Sequence, residues 1–177
     1  MNQRPRTLAE IADQADSLET FGLLFQDWLH EVRRMSSRRQ AWTAVLARPA
    51  TLAGRFAEGS LADAWLGAYA EHVALRLEET PPAWAFEPGR ILQMPWFSNP
   101  RGSTVWRIGA LRDSPLAFKR RNLFTPSVQF PLRLRAGRPE RSAEEKRAVN
   151  RERQHRFQER RRAELRALRA AVHGMGT

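Results

Sequence analysis

Residues 81–124 read PPAWAFEPGRILQMPWFSNPRGSTVWRIGALRDSPLAFKRRNLF. Trp84, Trp96 and Trp106 stand here with Phe86, Phe97, Phe118 and Phe124. Large aromatic side chains bury the most area per residue, so the core is expected to close around this stretch. Prolines at 81, 82, 88, 95, 100 and 115 interrupt any regular element. The reading is an extended arm laid over helices, followed by a short helical pair. Trp84, Trp96 and Phe118 are its expected buried anchors.

Outward from the arm, the chain punctuates itself as helices. Thr7 to Glu10 forms a capping box that opens a short helix. Ser17 caps a second, in which Phe21, Leu24, Phe25, Trp28, Leu29 and Val32 recur at helical spacing. Arg33 and Arg34 suit its last turn, where the helix dipole favours cations. Ser36 or Ser37 starts a third helix through Trp42, Val45 and Leu46, ended before Pro49. Gly54 and Gly59 bracket a loop. The run Ser60 to Asp63 reads as the cap of a long fourth helix carrying Trp65, Tyr69, His72, Val73 and Leu77, which Pro81 ends. Within the arm, Ser103 caps a helix carrying Val105, Trp106, Ile108 and Leu111. Ser114 and Pro115 open another, which Asn122 stops in a left-handed conformation. Thr125 to Leu132 is ambiguous between a short strand and coil.

Composition divides the chain. Its 177 residues are 42% apolar, enough for a real core, and carry a net charge of +11. Residues 133–177 hold fourteen basic and six acidic residues, a net +8, which leaves +3 for residues 1–132. We therefore expect a mostly α protein. Residues 1–132 make a compact helical domain with the aromatic, proline-rich arm at 81–124. Residues 133–177 make a basic linker and a long basic C-terminal helix, opened by the capping box Ser142 to Glu145.

The basic excess points to an anionic partner, most often nucleic acid. Arg138 lies in an Arg-Ala-Gly-Arg-Pro run that resembles the core of minor-groove-reading AT-hook peptides, with alanine where arginine usually precedes the glycine. Lys146, Arg147, Asn150, Arg151, Arg153, Arg156, Arg160, Arg161 and Arg162 are the expected phosphate and base contacts of the tail helix. Asn150 to Arg153 resembles the basic region of leucine-zipper factors, but Gln158 stands where a basic residue is needed. The apolar face (Phe157, Leu165, Leu168, Val172) is too thin for several heptads. It suffices for weak pairing, so a homodimer is among the expected states. The alternative is a linker and solvated helix that only solubilise.

No residue set reads as catalytic, and none as a metal or cofactor site. The chain has no cysteine, hence no thiol chemistry and no disulfide. His30-Glu31 begins like a zinc-protease helix, but the second histidine falls at Arg34. His72 reads as a packing residue, since a metal needs several ligands. Asp27 and Glu31, one turn apart, read as a solvated helix face. Gly102-Ser103-Thr104 lacks the lysine and spacing of a phosphate-binding loop. The tryptophans are able to stack bases, but their helix-face spacing favours packing. No apolar run approaches the ~20 residues that span a bilayer, and no signal-peptide-like run opens the chain. The expectation is a cytoplasmic protein without membrane contact.

Several separated blocks carry a resemblance. Ala70-Glu71-His72, Pro82-x-Trp84, Pro88-x-Arg90-x-Leu92, Trp96-Phe97 and Ser114-Pro115-x-Ala117-Phe118-Lys119-Arg120-Arg121-Asn122-Leu123-Phe124 resemble a family of small bacterial proteins presumed to be antitoxins of two-gene toxin–antitoxin modules, often beside a nucleotidyltransferase-like toxin. The resemblance covers about residues 7–128, and the long basic tail departs from it. It implies an interaction role rather than catalysis, with a toxin protein encoded nearby as the partner. Lys119, Arg120 and Arg121 are the expected partner-binding residues, and the tail would bind DNA for autoregulation. The alternative expectation is a stand-alone nucleic-acid-binding accessory protein of a plasmid or phage.

Overall fold

The computed structural model describes residues 4–35, 37–126 and 128, and in the tail residues 151, 152, 154, 156, 158, 159 and 161. The chain divides into two units, Met1–Leu134 and Arg135–Thr177. The first is mostly helical: α1 (Leu8–Gln14), α2 (Leu18–Arg34), α3 (Arg38–Leu46), α4 (Gly59–Leu77), α5 (Thr104–Asp113) and the single turn α6 (Leu116–Lys119). Two 3₁₀ turns (Ala83–Phe86, Pro88–Arg90) and two short strands, β1 (Trp96–Phe97) and β2 (Leu123–Phe124), complete it.

Local capping sets most helix starts. The hydroxyls of Thr7, Ser17, Ser37 and Ser103 accept from the backbone N–H three residues on, at 3.1–3.2 Å. Glu10 closes its box one residue earlier than expected, accepting from the Arg6 amide at 2.7 Å. The start of α4 corrects the sequence reading. It begins at Gly59 with no side-chain cap, and Asp63 is fully buried instead. Gly59 is required there, because a Cβ would stand 2.0 Å from the Leu52 carbonyl oxygen. The helix also stops before Pro81, at a left-handed Glu78 (φ 60°). Arg38 donates to the Leu77 carbonyl at 2.8 Å, satisfying one of the terminal acceptors.

α4, rather than the aromatic arm, is the centre of the core. It is buried almost all round, which is the pattern of a helix enclosed by its neighbours. Its Tyr69 ring meets Phe25 (4.7 Å), Phe118 (5.2 Å) and Trp28 (5.9 Å) edge-on. These rings come from α2 on one side and α6 on the other, so the expected α2 face packs as read. The arm then closes over α4. Trp84 and Phe118 are buried, whereas Trp96 is only half-buried, 5.9 Å from Trp65. Trp96 is therefore a lid on the core edge and not one of its anchors.

The arm is held by a parallel pairing that the sequence reading did not foresee. Trp96 pairs with Leu123 and Phe97 with Phe124. The Trp96 amide donates to the Asn122 carbonyl at 2.8 Å, and the Ser98 amide to the Phe124 carbonyl at 3.0 Å. Asn122 is left-handed (φ 57°), as expected, and its side-chain amide donates to the Leu92 carbonyl at 2.7 Å.

Candidate functional site

Two carboxylates on α4 organise the arm from beneath. Asp63 accepts from the Leu52 and Ala53 amides (3.0 and 2.8 Å) and pairs with Arg90. Arg90 also donates to the Pro49 carbonyl at 2.7 Å, with its guanidinium 5.4 Å over the Trp84 ring. Two helical turns later, Glu71 accepts from Arg120 at 2.7 Å and pairs with Arg121. Arg121 donates to the Ala85 and Ala117 carbonyls, each at 2.6 Å. Gly67 makes the approach feasible: a Cβ there would lie 2.8 Å from Arg121 Nε. Burial pulls both guanidinium pKa values down, and the carboxylates beside them pull the other way.

This corrects one expected partner contact. Arg121 is 1% exposed, so it stitches α4 to the arm and is not available to another protein. Its neighbours differ. Lys119 donates to the Arg112 carbonyl at 2.7 Å, and Arg120 keeps about half its side chain (52%) in solvent while bound to Glu71. The ion-pair roles of Glu71 and Asp63 have no local signature, because their partners lie 50 and 27 residues away.

α5 carries three of the exposed large apolar side chains among the described residues. Trp106 packs against Phe97 (6.4 Å) and closes so tightly on Gly102 that a Cβ there would stand 2.4 Å from the indole. Ala110 is buried on the same helix. With that side inward, Val105, Ile108 and Leu111 face solvent, at 79%, 61% and 45% exposure, and Leu116 of α6 is also exposed. Of the four apolar residues expected on α5, Trp106 thus turns inward and the other three face solvent. Cations border it. Arg107 stacks 5.4 Å over Phe97, and Arg112 pairs with Asp113 at 2.7 Å, holding that carboxyl below its ordinary range. Arg101 is exposed nearby in sequence.

In the tail unit, Arg151, Arg156 and Arg161 lie on helical backbone with exposed side chains, and Arg156 pairs with Glu152. Arg138, Lys146, Arg147, Asn150, Arg153, Arg160 and Arg162 lie outside the described residues.

The remaining candidates fall to structural roles. Ser103 of the glycine-serine-threonine run is a helix cap. Asp27 and Glu31 meet Arg4 at 3.4 and 3.5 Å, tying the start of the chain to α2. His72 is half-buried with its ring 5.9 Å from Phe118, and burial lowers its pKa. Among the described residues no cluster of His, Asp or Glu is able to hold a metal ion. Among them, too, no helix is long and apolar enough to cross a membrane.

No protein-family model, curated protein or solved structure matches this chain.

Proposed function

We propose that this is an antitoxin-like binding protein: residues 1–132 engage and neutralise a partner toxin encoded nearby, and the basic tail binds DNA, its own promoter first. The observation that carries the protein-binding half is the outward apolar row Val105, Ile108 and Leu111. Exposing three large apolar side chains on one short helix has no folding benefit, and such patches mark interaction sites. Arg107 and Arg112 share the helix with the row and Lys119 reaches the Arg112 carbonyl, so the matching toxin surface is apolar with an acidic rim. A second copy of this chain would set cation against cation there. The DNA half is supported by the +8 tail.

The test is co-expression with the neighbouring gene. Ile108→Glu should abolish protection while leaving the melting temperature near that of the parent, because the side chain touches solvent rather than core. A chain ending at Leu132 should still protect. Protection by Ile108→Glu at the parental level would dismiss the α5 face. Loss of protection by the folded, truncated chain would move neutralisation to the tail, whereas no protection even by the full chain would favour the alternative, a stand-alone nucleic-acid-binding accessory protein of a plasmid or phage.

A further inference from the structure

An open pocket of about 570 Å³ is lined by the start of α1, the end of α2 and the start of α3. Arg6, Arg34 and Arg39 stand in its wall with Glu10 and Glu31. Both carboxylates are engaged within the fold. Glu10 accepts from the Arg6 amide at 2.7 Å, and Glu31 pairs with Arg34 at 3.2 Å and with Arg4 at 3.5 Å. The guanidinium groups of Arg6 and Arg39, both exposed residues, have no carboxylate partner among the described residues.

Arg39 also works against its own helix. It stands in the first turn of α3, which holds no acidic residue. The helix dipole disfavours a cation at that end. Its neighbour Arg38 has a structural reason to be there, since it donates to the Leu77 carbonyl at the end of α4. Arg39 has no such side-chain bond among the described residues. A residue that breaks a local rule without a gain to the fold marks a functional position.

We infer that this pocket holds a backbone phosphodiester of DNA through Arg6 and Arg39. A guanidinium fork matches a pair of phosphate oxygens. Three cations against two carboxylates leave the lining at +1, which suits a singly charged diester better than a dianionic monoester. An acidic protein fits less well. Protein interfaces have an apolar centre, whereas DNA interfaces are polar and positively charged. Met35 and Ala44 are the apolar members of this lining, and the other described members are polar or charged. The pocket belongs wholly to the first unit, so it is a DNA contact beyond the one proposed for the tail.

The experiment is a salt titration of full-chain binding to a short DNA duplex of arbitrary sequence, read by fluorescence anisotropy, with polyglutamate as a second probe. One phosphate contact contributes about 0.9 to the log–log slope, or about eightfold in affinity for each tenfold change in salt. Arg6→Gln combined with Arg39→Gln should make the slope shallower by about that amount. Arg48→Gln combined with Arg76→Gln makes the same charge change at exposed residues elsewhere in the unit and should leave the slope at the parental value. Arg39→Gln alone should keep or raise the melting temperature, because a cation leaves the positive end of α3. A slope unmoved by the pocket pair, or moved as far by the control pair, overturns the site. A lowered melting temperature overturns the assignment of Arg39 to binding. Loss of polyglutamate binding by the pocket pair with an unchanged DNA slope would give the pocket to an acidic protein and overturn the inference. Tail and pocket separate cleanly. A parental slope near about −1 that the pocket pair abolishes keeps the pocket and dismisses the tail, whereas a slope near about −4 to −5 that it leaves unchanged does the reverse.

Discussion

Replacing Arg121 with methionine keeps most of the side-chain volume and deletes the cation. Glu71 then retains only Arg120, which reaches it from solvent at 2.7 Å. The Ala85 and Ala117 carbonyls lose donors held at 2.6 Å. Breaking one side of a buried ion pair costs about 3–5 kcal/mol, because a charge is left without compensation. Arg120 offsets part of that, so we expect about 3 kcal/mol, a large share of the ~5–15 kcal/mol that holds a domain folded. Urea unfolding followed by tryptophan fluorescence reads the difference directly. The double variant Glu71→Met with Arg121→Met removes both charges and should recover most of the loss, since an apolar pair of similar volume is often neutral there. A single variant within about 1 kcal/mol of the parent would refute the reasoning. So would a double variant no more stable than the single one.

Phe118→Ala should cost about 3–5 kcal/mol as a core truncation, whereas Trp96→Ala, at the core edge, should cost clearly less; denaturant midpoints of the two variants decide. Burial and Arg76 hold the His72 pKa below its ordinary value of 6.5, against the opposing pull of Glu71. The unfolded chain therefore takes the proton first, and stability should fall as pH drops below about 6.5, levelling off under the lowered folded value. His72→Gln should flatten that part of the stability–pH curve, and an unchanged slope would count against the histidine. If about five tail arginines reach phosphates, DNA affinity should fall with a log–log salt slope near −4 to −5, against a much shallower slope for a chain ending at Leu132. Equal affinities of the two chains would remove the tail from DNA binding.

Helix starts were the most legible part of the sequence, because a cap is decided within three residues. Thr7, Ser17, Ser37 and Ser103 each act as read. The same local logic misread Ser60 to Asp63, since Asp63 is engaged by the Leu52 and Ala53 amides and by Arg90. Periodicity found the α2 face but could not orient α5. There, Gly102 and Trp106 decide which side turns inward, and that choice depends on Phe97 across the arm. The partner-binding expectation for Arg121 failed for the same reason. A run of cations looks uniform in sequence, while Gly67, 54 positions earlier, selects one of them for burial.

The spacing of the two buried pairs also sets a timetable during translation. Asp63 is made 27 residues before Arg90, and Glu71 is made 50 residues before Arg121. At about 5–20 residues per second, a nascent chain holds α4 for roughly 3–10 s before its second guanidinium exists. Through that interval burying α4 carries the cost of an unmatched carboxylate, which the arrival of Arg121 removes.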